Sequence, residues 1–561
     1  MRLVVIVDGY TDEPAGLGVP PYIDIYPRYI AGAVWYADRT AKVLYFTIDS
    51  IRGDYFSFLK AASKADLVVF IAGVVVPGRY IGGRPATYEE LARLPRSLEG
   101  PVKILTGPVA RFGLGTRGGV RAIPREEFET LYDLVVPGDG WLAVYEYVKT
   151  GSLEGVNPYS TSKDYSLVEE FAVRGARIVN QHPNAGLNLV AEVETYRGCP
   201  RWVTGGCSFC IEPRYGRVIT RNPKDVAREI EELYRHGVRA VRLGRQADFL
   251  TYMAKGVNES EFPEPSPEKL EELLRMVRLA APSLEALHID NVNPMTITVH
   301  REKSVRALKV LLKYHTPGDV AAFGLETADP VVSKMNNLGN DSESVLEAIR
   351  VVNEVGRRRG WNGLPELLPG VNFVLGLPGE TRSTFARNKE FLERLLQENL
   401  LVRRVNVREV LPLPGTPVWR VGDEIARRHK RYILSFKRWV REYFDEVMIR
   451  RVFPHGTLLR RCFVEGVSGR VSVARQAGSY PVTCFVHEPL RQGEVINAVV
   501  VGHKSRSLVT VKHPVSGERS LKYLSRFLKR EELEEVQRGE VTSSKVLFYL
   551  GAREIHGKRV L

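Results

Sequence analysis

The chain has 561 residues, too many for one hydrophobic core, and its composition (44% hydrophobic, 26% charged) is that of a globular protein of two to four domains. No run of eighteen apolar residues occurs, which excludes a membrane-spanning helix, and the five apolar residues that open the chain are too few for a signal peptide. The net charge is +14, and residues 421–561 hold 27 Lys or Arg against 15 Asp or Glu, so nearly all the excess sits in the last quarter. With five cysteines and no secretory signal, a disulfide framework is excluded and a cytoplasmic setting is expected.

From residue 1 to about 150, β-branched runs such as "RLVVIVDG", "AKVLYFTI", "ADLVVFIAG", "PVKILTG" and "YDLVVPGDG" alternate with helical stretches. Their spacing predicts a Rossmann-like parallel sheet, with loops 8–10 and 73–83 lining any ligand crevice. This segment holds no Cys and no His; the first histidine is His182. A second α/β series covers about 185–420, with strands predicted at 189–195, 238–243, 284–289, 320–325, 371–375 and 404–411. Six strands, each followed by a helix, predict a partial (β/α)6 barrel whose function sits at the C-terminal strand ends. A basic helical connector (421–455) follows, then a small antiparallel β-barrel (456–516) and a charged helical tail (517–561).

Three of the five cysteines, Cys199, Cys207 and Cys210, fall within "YRGCPRWVTGGCSFCIEP", directly after the first strand of the second series. Clustered thiolates suit zinc or an iron–sulfur cluster. No fourth cysteine lies near to close a zinc site, whereas three suffice for a four-iron cluster with one iron left open to an exogenous ligand. Cys462 and Cys484 lie in apolar strand runs and are expected in a core.

The loop, and the run "CSFCIEPRYGRVITRNPKDVAREIEELYRHGVRAVRLGRQ" that continues it, resembles the radical S-adenosylmethionine (SAM) superfamily, above all its RNA methylthiotransferase branch. "FGLETADPVVSKMN", "NFVLGLPGET" and "VLPLPGTPV" follow in that family's order. The resemblance covers about 220 residues and implies an enzyme. Cys199, Cys207 and Cys210 would hold a [4Fe-4S] cluster, and SAM would chelate the open iron and be cleaved reductively to a 5′-deoxyadenosyl radical. Phe209 would pack beside the adenine, Glu326 would take the ribose hydroxyls, and Gly376 and Gly379 would let backbone approach the base. Leu243-Gly244-Arg245-Gln246 stands where the family has Gly-Gly-Glu, making Gly244 and Gln246 the candidates for the amino group. The family's Cys-x3-Cys-x2-Cys spacing is here Cys-x7-Cys-x2-Cys, so "PRWVTGG" carries four extra residues, expected to bulge outward.

The methylthiotransferase branch builds a second cluster on N-terminal cysteines, and this chain has none there. The N-terminal segment also resembles a cobalamin-binding domain. The only His-x-x-Gly, at His315, has Lys313 where an axial-histidine motif needs Asp, so cobalamin would bind without an axial histidine from the N-terminal segment. The last barrel resembles the RNA-binding TRAM barrel, and Lys437, Arg438, Trp439 and Tyr443 interleave charge with aromatic rings, as phosphate contact plus stacking requires. The expected function is radical modification of a nucleoside in tRNA or another RNA, with an electron donor such as ferredoxin or flavodoxin. The alternatives are radical methylation or rearrangement of a small molecule or peptide, with or without cobalamin, and an iron–sulfur or zinc-stabilised RNA-binding protein.

Overall fold

The structure, a computed structural model, describes residues 2–74 and 82–513, residue 525, residues 528–538, and two short strands, Glu554–Ile555 and Lys558–Arg559. Five strands form the first sheet: β1 (Leu3–Asp8), β2 (Lys42–Thr47), β3 (Leu67–Ile71), β4 (Val102–Thr106) and β5 (Leu134–Val135). All pair in parallel, in the order β2-β1-β3-β4-β5. The doubly wound sheet is therefore present, in the flavodoxin-like order. Along β1, Val4 and Ile6 enter one apolar cluster and Val5 and Val7 another, so both faces are covered.

Between β1 and β2 the chain leaves this sheet. Tyr22–Ile23 pairs in parallel with Val190–Ala191 and adds a strand to the edge of the second series. Helix Ile25–Ala37 follows, capped by the Asp24 carboxylate on the Ile25 N–H. It packs so closely on helix Ser166–Gly175 that a Cβ at Gly32 would lie 1.8 Å from the Phe171 carbonyl oxygen. Glycine is required there by proximity, not by φ.

The core strands are β6 (Val190–Glu194), β7 (Ala240–Gly244), β8 (Ala286–Ile289), β9 (Asp319–Glu326), β10 (Leu367–Leu375) and β11 (Arg404–Glu409). They stand in chain order, all parallel, with an isolated Asn291–Ala322 bridge joining β6–β8 to β9–β11. This is the expected partial barrel. Phe373 meets Phe436 of an outer helix with ring centroids 5.5 Å apart, so Gly370, Asn372 and Val374 face the lumen, in register with Arg404, Asn406 and Arg408. Glu192, Glu194, Arg242 and His288 are the buried polar residues of β6–β8.

The connector is helical, and its longest straight piece is Lys430–Trp439. His429, Tyr432, Phe436, Trp439 and Tyr443 recur at spacings of three and four and so share one face. That face meets helix Arg382–Gln397: Tyr432 stacks on Phe385 at 5.7 Å, and Lys389 lies 5.0 Å over Trp439.

The last domain is a closed barrel of β12 (Leu458–Ser468), β13 (Val471–Gln476), β14 (Thr483–Val486), β15 (Val495–His503) and β16 (Ser507–His513), ordered β12-β13-β14-β16-β15. One point corrects the antiparallel expectation: β14 and β16 pair in parallel. The segment between β14 and β15 crosses the barrel, which puts β16 beside β14 and gives the strand order of an OB-type barrel. Cys462 and Cys484 are buried inside it, as expected. Of the tail from residue 517, helix Arg530–Arg538 is described and most of the remainder lies outside the described residues.

Candidate functional site

The cysteine loop rises from the end of β6. Tyr196–Arg197 pairs with Ile219–Thr220 as a short antiparallel ribbon, and the cysteines lie in the segment between. After Cys199, Pro200–Thr204 winds into a 3-10 turn in which the Trp202 N–H donates to the Cys199 carbonyl at 2.9 Å. Gly205 and Gly206, with φ of 83° and 64°, turn the chain back to Cys207, and the Cys210 N–H donates to the Cys207 carbonyl at 3.2 Å. The insertion does bulge, with Thr204 and Gly205 exposed, yet it is pinned. Buried Arg201 donates to the Leu338 carbonyl (2.7 Å), the Asn337 carbonyl (2.8 Å) and Cys207 Sγ (3.1 Å). Trp202 Nε1 donates to Asn258 Oδ1 at 2.9 Å.

Burial raises all three thiols, Cys199 to about 12; Cys199 and Cys210 both feel the charge of Cys207, which Arg201 lowers and Glu326 raises. Among the described residues no three His, Cys, Asp or Glu side chains converge on one ion. Zinc binds four donors around a single point, whereas a four-iron cluster takes each thiolate on a separate iron. The donor set therefore fits the iron–sulfur alternative.

At the end of β9, Glu326 adopts φ +64°, and its Oε2 is buried with no hydrogen-bond partner among the described residues. Burial pushes its carboxyl up to about 8, against the pull of the Arg408 guanidinium. Phe209 packs on Val332, Val374, Leu377, Val410 and Val418, an apolar patch drawn from the rim. A buried acceptor beside an apolar patch suits a ligand with hydroxyl donors and a flat base.

The glycines serve the protein more directly than a ligand. Gly376 and Gly379 have φ of 91° and 88°, and the Glu380 carboxylate accepts from the Gly376 N–H at 2.8 Å to close the turn. A Cβ at Gly376 would meet Ala426 at 2.8 Å, and one at Gly379 the Met335 sulfur at 2.6 Å. At Gly244 it would lie 1.7 Å from Glu192 Oε1. Gln246 is fully buried and engaged internally, donating to the Leu243 carbonyl at 2.6 Å and accepting from Thr195 at 3.2 Å.

Arg245, between them, turns toward the N-terminal segment at φ +62°. Its guanidinium pairs with Glu13 and with Asp24 (3.2 Å), while its N–H donates to the Ala15 carbonyl at 2.5 Å. Sequence pattern marks neither Glu13 nor Asp24; the departure at Arg245 from the family's Gly-Gly-Glu was the only trace of this contact. Arg201, Tyr480 and Arg404, taken up below, left no trace at all.

In the N-terminal sheet the crevice at the switch point between β1 and β3 holds protein. Gly9 N–H donates to the Ile71 carbonyl (2.8 Å), Gly73 to Tyr10 (3.1 Å) and Ala86 to Gly9 (2.9 Å). Residues 75–81 of the second crevice loop lie outside the described residues.

The profile of the Radical SAM superfamily matches residues 193–392. The chain belongs to that superfamily: it is a radical SAM enzyme, of the class that uses a [4Fe-4S] cluster and S-adenosylmethionine. An uncharacterized protein of Methanocaldococcus jannaschii is 41% identical over 513 residues, covering 90% of this chain and 92% of that one. The tRNA-2-methylthio-N(6)-dimethylallyladenosine synthase of Syntrophobacter fumaroxidans is 24% identical over 41% of this chain and 44% of its own. The ribosomal protein uS12 methylthiotransferase RimO of Streptomyces griseus is 23% identical over 59% and 62%. Among solved structures, the radical SAM methyltransferase TsrM of Kitasatospora setae covers 74% of this chain and 75% of its own at 16% identity, with a TM-score of 0.49. Among the described residues no helix is long and apolar enough to cross a membrane.

Proposed function

We propose that this enzyme modifies a nucleoside in RNA, tRNA first among candidates, in the cytoplasm, with an electron from a ferredoxin- or flavodoxin-type protein. The observation that carries the reading is the closed C-terminal barrel of OB-type order, set in the region that holds a charge surplus of twelve. Many of its cations are spent inside the molecule: Lys430 and Lys437 share Glu409, and Arg506 pairs with Asp445. Arg431, Arg438, Arg470 and Arg491 are exposed and make no ion pair among the described residues, leaving them for phosphates. Lys504 lies 4.2 Å over the Phe485 ring on the barrel wall. Of the rings expected to stack on bases, Trp439 is covered by helix Arg382–Gln397, while Tyr443 stays 49% exposed.

A [4Fe-4S] cluster on Cys199, Cys207 and Cys210 supplies the electron that cleaves SAM. The chain's own part is positional. Arg201 holds the loop and donates to Cys207, Phe209 and its apolar neighbours receive the adenine, and Glu326 accepts the ribose hydroxyls. The test is a comparison, by mass spectrometry, of digested RNA from cells carrying the wild type or Cys210→Ala. One modified nucleoside should vanish in the variant. An unchanged nucleoside profile sinks the RNA reading in favour of a peptide or small-molecule substrate.

A further inference from the structure

The floor of the core barrel is not made by the core. The loop between β13 and β14 leaves the C-terminal barrel and enters the lumen from the N-terminal ends of the core strands. Tyr22 donates its hydroxyl to the Ser479 carbonyl at 2.5 Å, and the Ser479 N–H donates to His288 Nδ1 at 2.9 Å. Gly478, at φ +152°, lies so near the imidazole that a Cβ would sit 2.6 Å from it. Tyr480 donates its hydroxyl to Asp290, accepts at its carbonyl from Arg403, and stacks its ring 3.6 Å beneath the Arg404 guanidinium.

This leaves an uneven account of charge. Arg242 takes both nearby carboxylates, Glu192 at 2.7 Å and Asp290 at 3.4 Å. Arg404 therefore has none: among the described residues it donates no hydrogen bond and makes no ion pair, and its Nε is buried without an acceptor. Arg408, two residues beyond Asn406 on the same face of β11, differs: it is exposed to solvent and its charge acts on Glu326. Arg404 is partly exposed, but its Nε is shut off from water, and an unmet donor there is costly. Beside Arg404 on the neighbouring strand is Gly370, over whose backbone the arginine stem lies: a Cβ there would sit 3.5 Å from Arg404 Cγ.

We propose that Arg404, seated on Tyr480, is the oxyanion-binding residue of the substrate chamber, and that a nucleotide phosphate is the oxyanion it takes. The proposal rests on the RNA reading above and names the group that enters the lumen. The C-terminal barrel thereby supplies part of the substrate chamber through Tyr480.

The test uses the full-length chain with its cluster reconstituted, titrated with inorganic phosphate and, separately, acetate, and read by phosphorus NMR line width and calorimetry. Phosphate should bind the wild type and weaken at least about tenfold in Arg404→Gln, as loss of a charged hydrogen bond implies. Arg404→Lys should retain part of it. Tyr480→Phe keeps the ring but frees Asp290 to pair with Arg404, so phosphate should weaken several-fold. In all three variants the electron paramagnetic resonance spectrum of the reduced cluster with SAM should be unchanged. Phosphate binding equal in wild type and Arg404→Gln overturns the proposal, as does acetate binding as tight as phosphate. A changed SAM-bound spectrum in Arg404→Gln reassigns the residue to SAM and also overturns it. Filter binding of bulk tRNA to the wild type reports on the RNA reading alone, so the two fail separately.

Discussion

The chain contains two parallel β systems, and each gathers charged groups where its strands end, but they treat those groups differently. In the N-terminal sheet, Asp8 closes β1 with both oxygens engaged, by the Tyr10 N–H at 2.9 Å and the Tyr45 hydroxyl at 2.6 Å. Backbone hydrogen bonds then bridge the crevice beside it. In the core barrel, Glu326 and Arg404 each bury a polar atom that meets no protein partner among the described residues. Buried polar atoms are ordinarily satisfied, so an unmet one beside a lumen marks where a ligand completes the structure. In the N-terminal sheet the one such atom among the described residues is the neutral Thr106 hydroxyl at the end of β4, whereas the unmet ionisable groups lie in the core barrel; on this comparison the first is scaffold and the second the chamber. The largest expected effect lies in the chamber. Cys210→Ala should abolish the reduced cluster's resonance signal and take 5′-deoxyadenosine formation to background. Retention of SAM cleavage in that variant would break the assignment of the rim.

The junction between the two systems comes next. Glu13→Gln leaves Arg245 buried with Asp24 at 3.2 Å and the more distant Glu194 at 4.0 Å to answer it. Breaking one arm of a buried ion pair costs about 3 kcal/mol. The loss should appear as a lower urea midpoint, and because Arg245 follows Gly244 in the rim turn, SAM affinity should fall with it. A variant that loses stability but binds SAM unchanged would make the contact a fastening alone.

Much of this was legible in the sequence, for local reasons. The six core strands were predicted to within a few residues because β-branched runs, each followed by an amphipathic helix, carry their own period. The three cysteines announced themselves by spacing. The contacts that build the floor had no such trace. Tyr480 reaches Asp290 across 190 positions and Tyr22 reaches Ser479 across 457, and neither residue belongs to a local pattern. The parallel pair β14–β16 was hidden for the same reason, since strand runs show periodicity and not partners. At Gly244 and Gly376 the structure places a carboxylate and an alanine against the backbone, a packing role that a sequence cannot tell from cofactor contact.

The floor offers a smaller effect. Tyr480→Phe removes the hydroxyl that donates to Asp290 and frees that oxygen of the carboxylate, while Arg242 keeps the other. About 1 kcal/mol of stability should be lost, the net worth of one such bond. Hydrogen exchange should quicken locally in strand β8, which ends beside Asp290, and not in β1. Uniform loosening of both sheets would show that the loop holds the domains together and has no special place in the lumen.

The last effect belongs to the scaffold and depends on pH. Burial pushes the Asp8 carboxyl up to about 7, with Tyr45 and Tyr10 opposing the rise and Asp24 adding to it. In the unfolded chain an aspartate titrates near 3.9, so between about 4 and 7 the folded protein holds a proton that the unfolded chain has released. Stability from this group is therefore fully present below about pH 4 and is lost as pH rises through 7. Asp8→Asn cannot ionise, and its fall in urea midpoint between pH 4.5 and 7.5 should be shallower than the wild type's. Equal slopes would mean that the hydroxyl and the N–H hold Asp8 ionised throughout. The N-terminal crevice would then keep a fixed negative charge at the end of β1, and its standing as inert scaffold would have to be given up.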